Sequence, residues 1–331
     1  MASIRKKYEI VEIDLDVQSP VRMTRKAKLT DDTFKSYIDK GMKINSIIVA
    51  IVLNISFIGC IAQNTLNETN LYFGQKPPGK KAEIFAPQVL TIEPHESPII
   101  LKNETLLIIG TMGEGVKFYT MIDGKLALTS NPFNFNITEI ANGVDVFWNG
   151  LEVSYSEEKM YIKLYENGGE KFYYIERQGE NWSKPKLLNP EVNAFKSHWQ
   201  YSLAKNENLY LPSDGIKVAK YNGNTHLKPI PLILEDNSEM KGATPYIAPD
   251  ESYIIFSRDN DLHISYHLNN GKWNKPINLG SEINAEGLEL CPRISPNGKY
   301  LFFISRRPGP DWAVYWADAS FIEELKPKDL K

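Results

Sequence analysis

Apolar residues along this chain come in short unbroken runs, not in helical spacing or strict alternation. Each run follows a tight polar turn. The clearest cases are YIAPDESYIIFSR (246–258) and RISPNGKYLFFISR (293–306), where Pro249-Asp250 matches Pro296-Asn297 and Ile254-Ile255-Phe256 matches Leu301-Phe302-Phe303. Proline presets φ at the second turn position, and Ser, Asp or Asn bonds the nearby backbone. A run with so many large residues exceeds what one buried face needs. It predicts strands covered on both faces.

The unit recurs in SLAKNENLYL (202–211), EVSYSEEKMYIKLY (152–165) and PIILKNETLLIIG (98–110), which lack the Pro-Asp or Pro-Asn turn. The apolar residues just before the turns are Ile100, Val153, Leu203, Ile247 and Ile294, at intervals of 53, 50, 44 and 47 residues. A second element keeps phase with the first: NWSKPKLLNPEVNA (181–194), THLKPIPL (225–232) and KWNKPINLGSEINA (272–285). Hairpin turns precede these at Gln178-Gly179, Asn222-Gly223 and Asn270-Gly271, with Asp123-Gly124 in the first repeat. Asn-Gly and Asp-Gly accept the positive φ that two-residue hairpins require.

Each unit therefore holds about four strands and a long connection, the pattern of a β-propeller blade. Neighbouring blades cover the two apolar faces of each sheet. A β-sandwich would instead alternate strictly and show no repeat in phase. The last unit, DWAVYWADASFIEELKP (311–327), stops before a Gly turn, and KAEIFAPQVLTI (81–92) supplies the missing strand. The expected fold is an all-β propeller of about five four-stranded blades over 81–328, closed by an N-terminal strand. Closure removes free sheet edges. The interval between Ile100 and Val153 leaves room for a sixth, degenerate blade.

The segment INSIIVAIVLNISFIGCIA (44–62) follows Lys43 and is the one long apolar stretch. Its uninterrupted core is short of the roughly 20 apolar residues a membrane span needs. A short apolar core behind a positive charge, ending in small residues, reads as an export signal. Phe57-Ile58-Gly59-Cys60 resembles the bacterial lipobox, which implies that Cys60 is lipidated and opens the mature chain. Residues 42–60 then form the signal peptide, or alternatively an uncut signal-anchor. Residues 1–41 are a tail or an extension ahead of the start, and 61–80 a tether. Stable anchoring takes more than one acyl chain, which lipoprotein cysteines carry.

The formal net charge is -3, which gives no basic field for nucleic acid. The 17 Tyr and 14 Phe suit strands. Two cysteines, Cys60 and Cys291, imply no disulfide framework. There is no Gly-x-Ser-x-Gly, phosphate loop, His-Glu-x-x-His or Cys-x-x-Cys, and no cofactor is expected. Propeller ligands sit at the channel mouth, so residues just ahead of the turn-run units are the candidates: His95, Glu96, His198 and Glu289, with Trp148, Trp199, Glu239, Lys241 and Glu286 in similar places. Converging carboxylates and imidazoles can hold a divalent metal or transfer protons. The plain alternative is a solvated polar rim. His263 and His267 fall on one strand about 13 Å apart and are not joint ligands. Trp182 and Trp273 share a repeat position, as blade-packing residues would, and Cys291 is expected to be buried and inert.

The stretches PYIAPDESYIIFSR and PRISPNGKYLFFISRRPGPDWAVYW resemble the WD40-like β-propeller repeat of the TolB kind. With the lipobox and GQKPPG (74–79), the chain is similar over about residues 71–328 to Bacteroidetes lipoproteins that carry such repeats. The resemblance implies an exported binding or scaffold propeller and supplies no reaction. The expectation is a lipid-anchored extracytoplasmic module, on the outer membrane facing the periplasm or on the cell surface, that binds a protein, peptide or glycan. The alternative is a glycoside hydrolase or polysaccharide lyase using carboxylates and His at the channel mouth.

Overall fold

A computed structural model describes residues 71–101, 103–112, 115–133, 147–166, 169–194, 200–307 and 312–330. The strand β1 (Glu83–Ile84) comes first. Blade 1 follows as β2 (Ile99–Ile100), β3 (Leu106–Thr111), β4 (Gly115–Ile122) and β5 (Lys125–Thr129). Blade 2 is β6 (Phe147–Val153), β7 (Lys159–Glu166) and β8 (Gly169–Gln178), its outer position shared by β9 (Asn181–Trp182) and β10 (Lys186–Leu187). Blade 3 is β11 (Ser202–Leu203), β12 (Leu209–Ser213), β13 (Gly215–Ala219) and β14 (Ile230–Pro231). Blade 4 is β15 (Ala243–Ile247), β16 (Tyr253–Arg258), β17 (Asp261–Tyr266) and β18 (Ile277–Asn278). Blade 5 is β19 (Glu289–Ile294), β20 (Tyr300–Ser305) and β21 (Ala313–Asp318), with β1 as its outer strand. All pairings within these sheets are antiparallel.

The doubly apolar runs are explained by what their alternate residues touch. In β20, Leu301 and Phe303 pack on Ile255 and Ile264 of blade 4, whereas Phe302 and Ile304 pack on Leu107 and Ile109 of blade 1. In β16, Ile254 and Phe256 meet Tyr210 and Val218 of blade 3. Blades 1 and 2 share Ile108, Phe118, Leu151 and Ile162, and blades 2 and 3 share Tyr161, Phe172, Leu203 and Leu209. Five sheets thus make five apolar interfaces. An open array of five would make four, so the ring is closed, and the described residues form five blades.

Closure runs through the N-terminal strand, as the sequence pattern predicts. Glu83 and Ile84 pair with Trp316 and Tyr315, and the Phe85 amide donates to the Val314 carbonyl at 2.8 Å. The Phe85 ring is fully buried, 5.0 Å from both Phe302 and Trp316. Within the stretch expected to be a tether, Tyr72 and Phe73 are buried in the same cluster. No helix among the described residues is long and apolar enough to cross a membrane.

The turn between the first two strands of every blade is the same despite its varied sequence. The amides of Glu104, Glu157, Glu207, Glu251 and Gly298 donate to the carbonyls of Leu101, Ser154, Ala204, Ala248 and Ser295, three residues back. All five donors have positive φ, between 52° and 75°. Glutamate there costs about 1–2 kcal/mol against glycine. Glu104, Glu207 and Glu251 use the side chain to clasp an adjoining blade. Glu251 accepts from Tyr210 Oη at 2.6 Å, Asn208 Nδ2 at 2.8 Å and Asn206 Nδ2 at 2.9 Å, all on blade 3. Glu207 accepts from Lys159 Nζ and Tyr161 Oη of blade 2, and Glu104 from the Asn297 amide and side chain of blade 5.

Glu251→Gly should relieve the backbone yet lower stability by about 1–3 kcal/mol, because three bonds to blade 3 are lost. Denaturant midpoints of wild type and variant check this, and a more stable glycine variant would contradict it.

Candidate functional site

The five first strands converge on the axis, and their register decides which side chains meet there. Three residues before each pre-turn apolar position stand Ser97, Gly150, Gln200, Thr244 and Cys291, all buried. The inner strands of blades 2, 4 and 5 slip register here, between Trp148 and Leu151, Ala243 and Tyr246, and Leu290 and Arg293. Thr244 and Cys291 adopt φ of 45° and 55° at two of these irregularities, and Gly150 has φ 143° at the third. A Cβ on Gly150 would lie 2.9 Å from the Tyr201 ring and 3.0 Å from Glu96 Oε1, so only glycine fits.

Polar side chains then cross the axis. Arg293 of blade 5 holds Glu152 of blade 2 by two contacts, Nη1 to Oε2 at 2.9 Å and Nη2 to Oε1 at 2.7 Å. Gln200 Nε2 of blade 3 donates to the Pro292 carbonyl of blade 5 at 2.8 Å. Blade 5 adjoins neither blade 2 nor blade 3, so both links span the centre. Neighbours are tied by the Cys291 amide to Thr244 Oγ1 and the Ile247 amide to Ser202 Oγ, each at 3.0 Å.

Glu96 and Lys163 complete the cluster. Lys163 is fully buried, its Nζ 3.5 Å from Glu170 Oε1. Glu96 Oε1 lies 4.0 Å from His95 Nδ1. Burial raises the Glu96 carboxyl, with Lys163 and Arg293 opposing. Burial also raises Glu152, against the pull of Arg293. The Lys163 ammonium and the His95 imidazolium are both disfavoured by burial. Three carboxyl groups, on Glu96, Glu152 and Glu170, therefore lie in one buried cluster with three basic side chains, His95, Lys163 and Arg293. The cavity beside Glu96 is about 10 Å³, room for a single water.

Among the sequence candidates, His95 and Glu96 sit together in this cluster. Glu289 is buried elsewhere: it accepts from Ser305 Oγ at 3.1 Å and Arg307 Nε at 3.3 Å, and Arg307 lies over the Tyr315 ring at 4.3 Å. His198 and Cys60 lie outside the described residues. No group of three metal-ligating side chains occurs among the described residues. Sequence reasoning missed Glu152, Lys163, Gln200 and Arg293. The signal was present: Glu152 and Arg293 occupy the same repeat position, directly before Val153 and Ile294, and Lys163 interrupts the apolar run of β7.

A separate groove of about 630 Å³ opens on the turn side of the ring, where the turns of blades 3 and 4 meet the C-terminal segment. Its lining includes Lys205, Asp250, Tyr253, His267 and Lys326. Tyr266 Oη donates to the Ile322 carbonyl at 2.6 Å and fixes one wall, and the His267 ring stacks on Trp273 at 4.8 Å.

No protein-family model matches the sequence, and no curated protein does. Solved structures similar to the chain include TolB from Acinetobacter baumannii, at 11% identity and TM-score 0.41, covering 69% of this chain and 57% of that one. An engineered GH43 glycoside hydrolase with endo-xylanase and exo-arabinofuranosidase activity gives 11% identity and TM-score 0.45, covering 72% and 52%. XC5397 from Xanthomonas campestris, a gluconolactonase, gives 11% and 0.40, covering 66% and 70%. The chain thus spans little more than half of the first two. These are likenesses of fold.

Removing one partner of a buried ion pair leaves the other charge unpaired. Glu152→Ala should cost about 3–5 kcal/mol, and adding Arg293→Met should recover most of the loss. A double-mutant cycle by chemical denaturation checks both, and additive losses would contradict the pairing.

Proposed function

We propose that the chain is a lipid-anchored, extracytoplasmic β-propeller that binds a protein, peptide or glycan at the bacterial cell envelope. The observation that carries this reading is the pair of links across the axis, Arg293 to Glu152 and Gln200 to Pro292. A glycoside hydrolase or lyase needs its carboxylates around a space that admits a sugar. Here the space beside the Glu96 carboxyl takes one water, and the Glu152 carboxylate is held by Arg293. The axial charges serve the ring, and recognition falls to its outer faces.

The turn-side groove is the surface we assign to the ligand. Its volume lies in the range of small-molecule and short-segment sites, and it combines aromatic walls with a few charged groups. A rigid ring with its loops on two faces suits such recognition. Anchoring rests on the lipobox-like Phe57-Ile58-Gly59-Cys60. Ile61 after the cysteine, without an acidic cluster behind it, favours the outer membrane with the domain facing the periplasm.

Metabolic labelling with an alkynyl fatty acid should mark the wild type. Cys60→Ala should lose the label and leave the membrane fraction, and unchanged membrane retention would refute the anchor. For the ligand, crosslinking in intact envelopes should capture a defined partner, and Lys205→Glu or His267→Ala should lose it without loss of fold. Polysaccharide turnover by wild type, abolished in Glu96→Gln, would favour the hydrolase reading instead.

A further inference from the structure

Two buried polar atoms border the small cavity between blades 1 and 2, and neither is satisfied by protein. Glu96 Oε1 and Ser97 Oγ have no hydrogen-bond partner among the described residues, although Glu96 is 5% exposed and Ser97 1%. Both line the cavity, with apolar Ile99, Ile108, Val116 and Leu151 around them. Buried hydroxyls and carboxyls are almost always bonded, and leaving two orphaned in one place is costly. An apolar cavity of this size would stay dry, but one with two convergent polar atoms binds water.

We propose that this cavity is an internal hydration site in which one water bridges Glu96 and Ser97, and that Glu96 is held there as the neutral acid. The charge count supports the second part. Glu96 faces His95 from the segment ahead of β2, Lys163, Glu170 and Glu152 from blade 2, Arg293 and Cys291 from blade 5, and Tyr201 from blade 3. Arg293 is committed to Glu152 by two contacts, and Lys163 is 3.5 Å from Glu170. Among the described residues Glu96 then has only His95 Nδ1 at 4.0 Å, whose imidazolium burial disfavours, and no ammonium or guanidinium bonded to it. A proton on Glu96 removes the unmatched charge, and the carboxylic acid donates to the water, which donates one of its hydrogens to Ser97 Oγ.

The direction of the Glu96 shift agrees, since burial raises its carboxyl above the ordinary 4.5. The folded state then binds a proton that the unfolded chain releases. Its contribution to stability is complete below pH 4.5 and declines as pH rises through the folded value.

Two measurements on the wild type test this without any variant. A high-resolution crystal structure should show one ordered water within hydrogen-bond distance of both Glu96 Oε1 and Ser97 Oγ. An infrared spectrum at neutral pH should show the carbonyl band of a buried carboxylic acid. That band should vanish in Glu96→Gln and persist in Glu170→Gln. Glu96→Gln should also flatten the fall of stability with rising pH. Density for a cation at the site, no acid band in the wild type, or loss of the band in Glu170→Gln alone would overturn the proposal.

Discussion

Each sheet of this chain has two apolar faces and no means of hiding both. That constraint governs the rest. A lone blade would leave Leu301 and Phe303 in water on one side or Phe302 and Ile304 on the other, and burying a large side chain is worth about 1.5–3 kcal/mol. Radial neighbours remove the difficulty only when the last blade meets the first. The β1 strand, the Phe85 ring on Phe302 and Trp316, and the buried Tyr72 and Phe73 all serve that final joint. The turn glutamates act in the same sense at the periphery, with strained backbone offset by bonds to an adjoining blade.

Closing the ring creates a second problem at its centre, where five strands bring backbone groups together away from water. The solution is polar and charged. Arg293 and Glu152 satisfy one another across the axis, and Gln200 reaches the Pro292 carbonyl. Buried ion pairs add little net stability but are costly to break. The arrangement links blades that are not neighbours, and its loss costs more than its presence adds. It also commits these axial side chains to one another, which moves the functional question to the two faces and to the groove beside Tyr253 and His267.

Blades 4 and 5 were legible because their turns carry Pro-Asp and Pro-Asn-Gly and their runs are unbroken. The turns of blades 1 to 3 were obscured because they lack the Pro-Asp or Pro-Asn pair and, as in blade 4, glutamate stands where glycine would mark positive φ. A side chain at that position is explained only by the tertiary bonds it makes, which no local rule supplies. The strand that closes the ring was legible from what the last repeat lacks. The site was read less well. Polar residues ahead of each unit drew attention to His95, Glu96 and Glu289, but spacing could not show that Glu96 lies in the axial cluster while Glu289 pairs with Arg307. Glu152 and Arg293 sit beside apolar neighbours in strands, and their pairing spans 141 residues. Opposite charges at one repeat position in non-adjacent blades are the clue such a pair leaves.

Native-state hydrogen exchange tests ring closure most directly. If the fifth interface is equivalent to the others, peptides covering residues 83–86 and 300–305 exchange with the same free energy, that of global unfolding, because β1 cannot leave without opening the whole ring. Exchange of residues 83–86 at a much lower free energy, with 300–305 still protected, would show that β1 is a peripheral flap and that the ring stands without it.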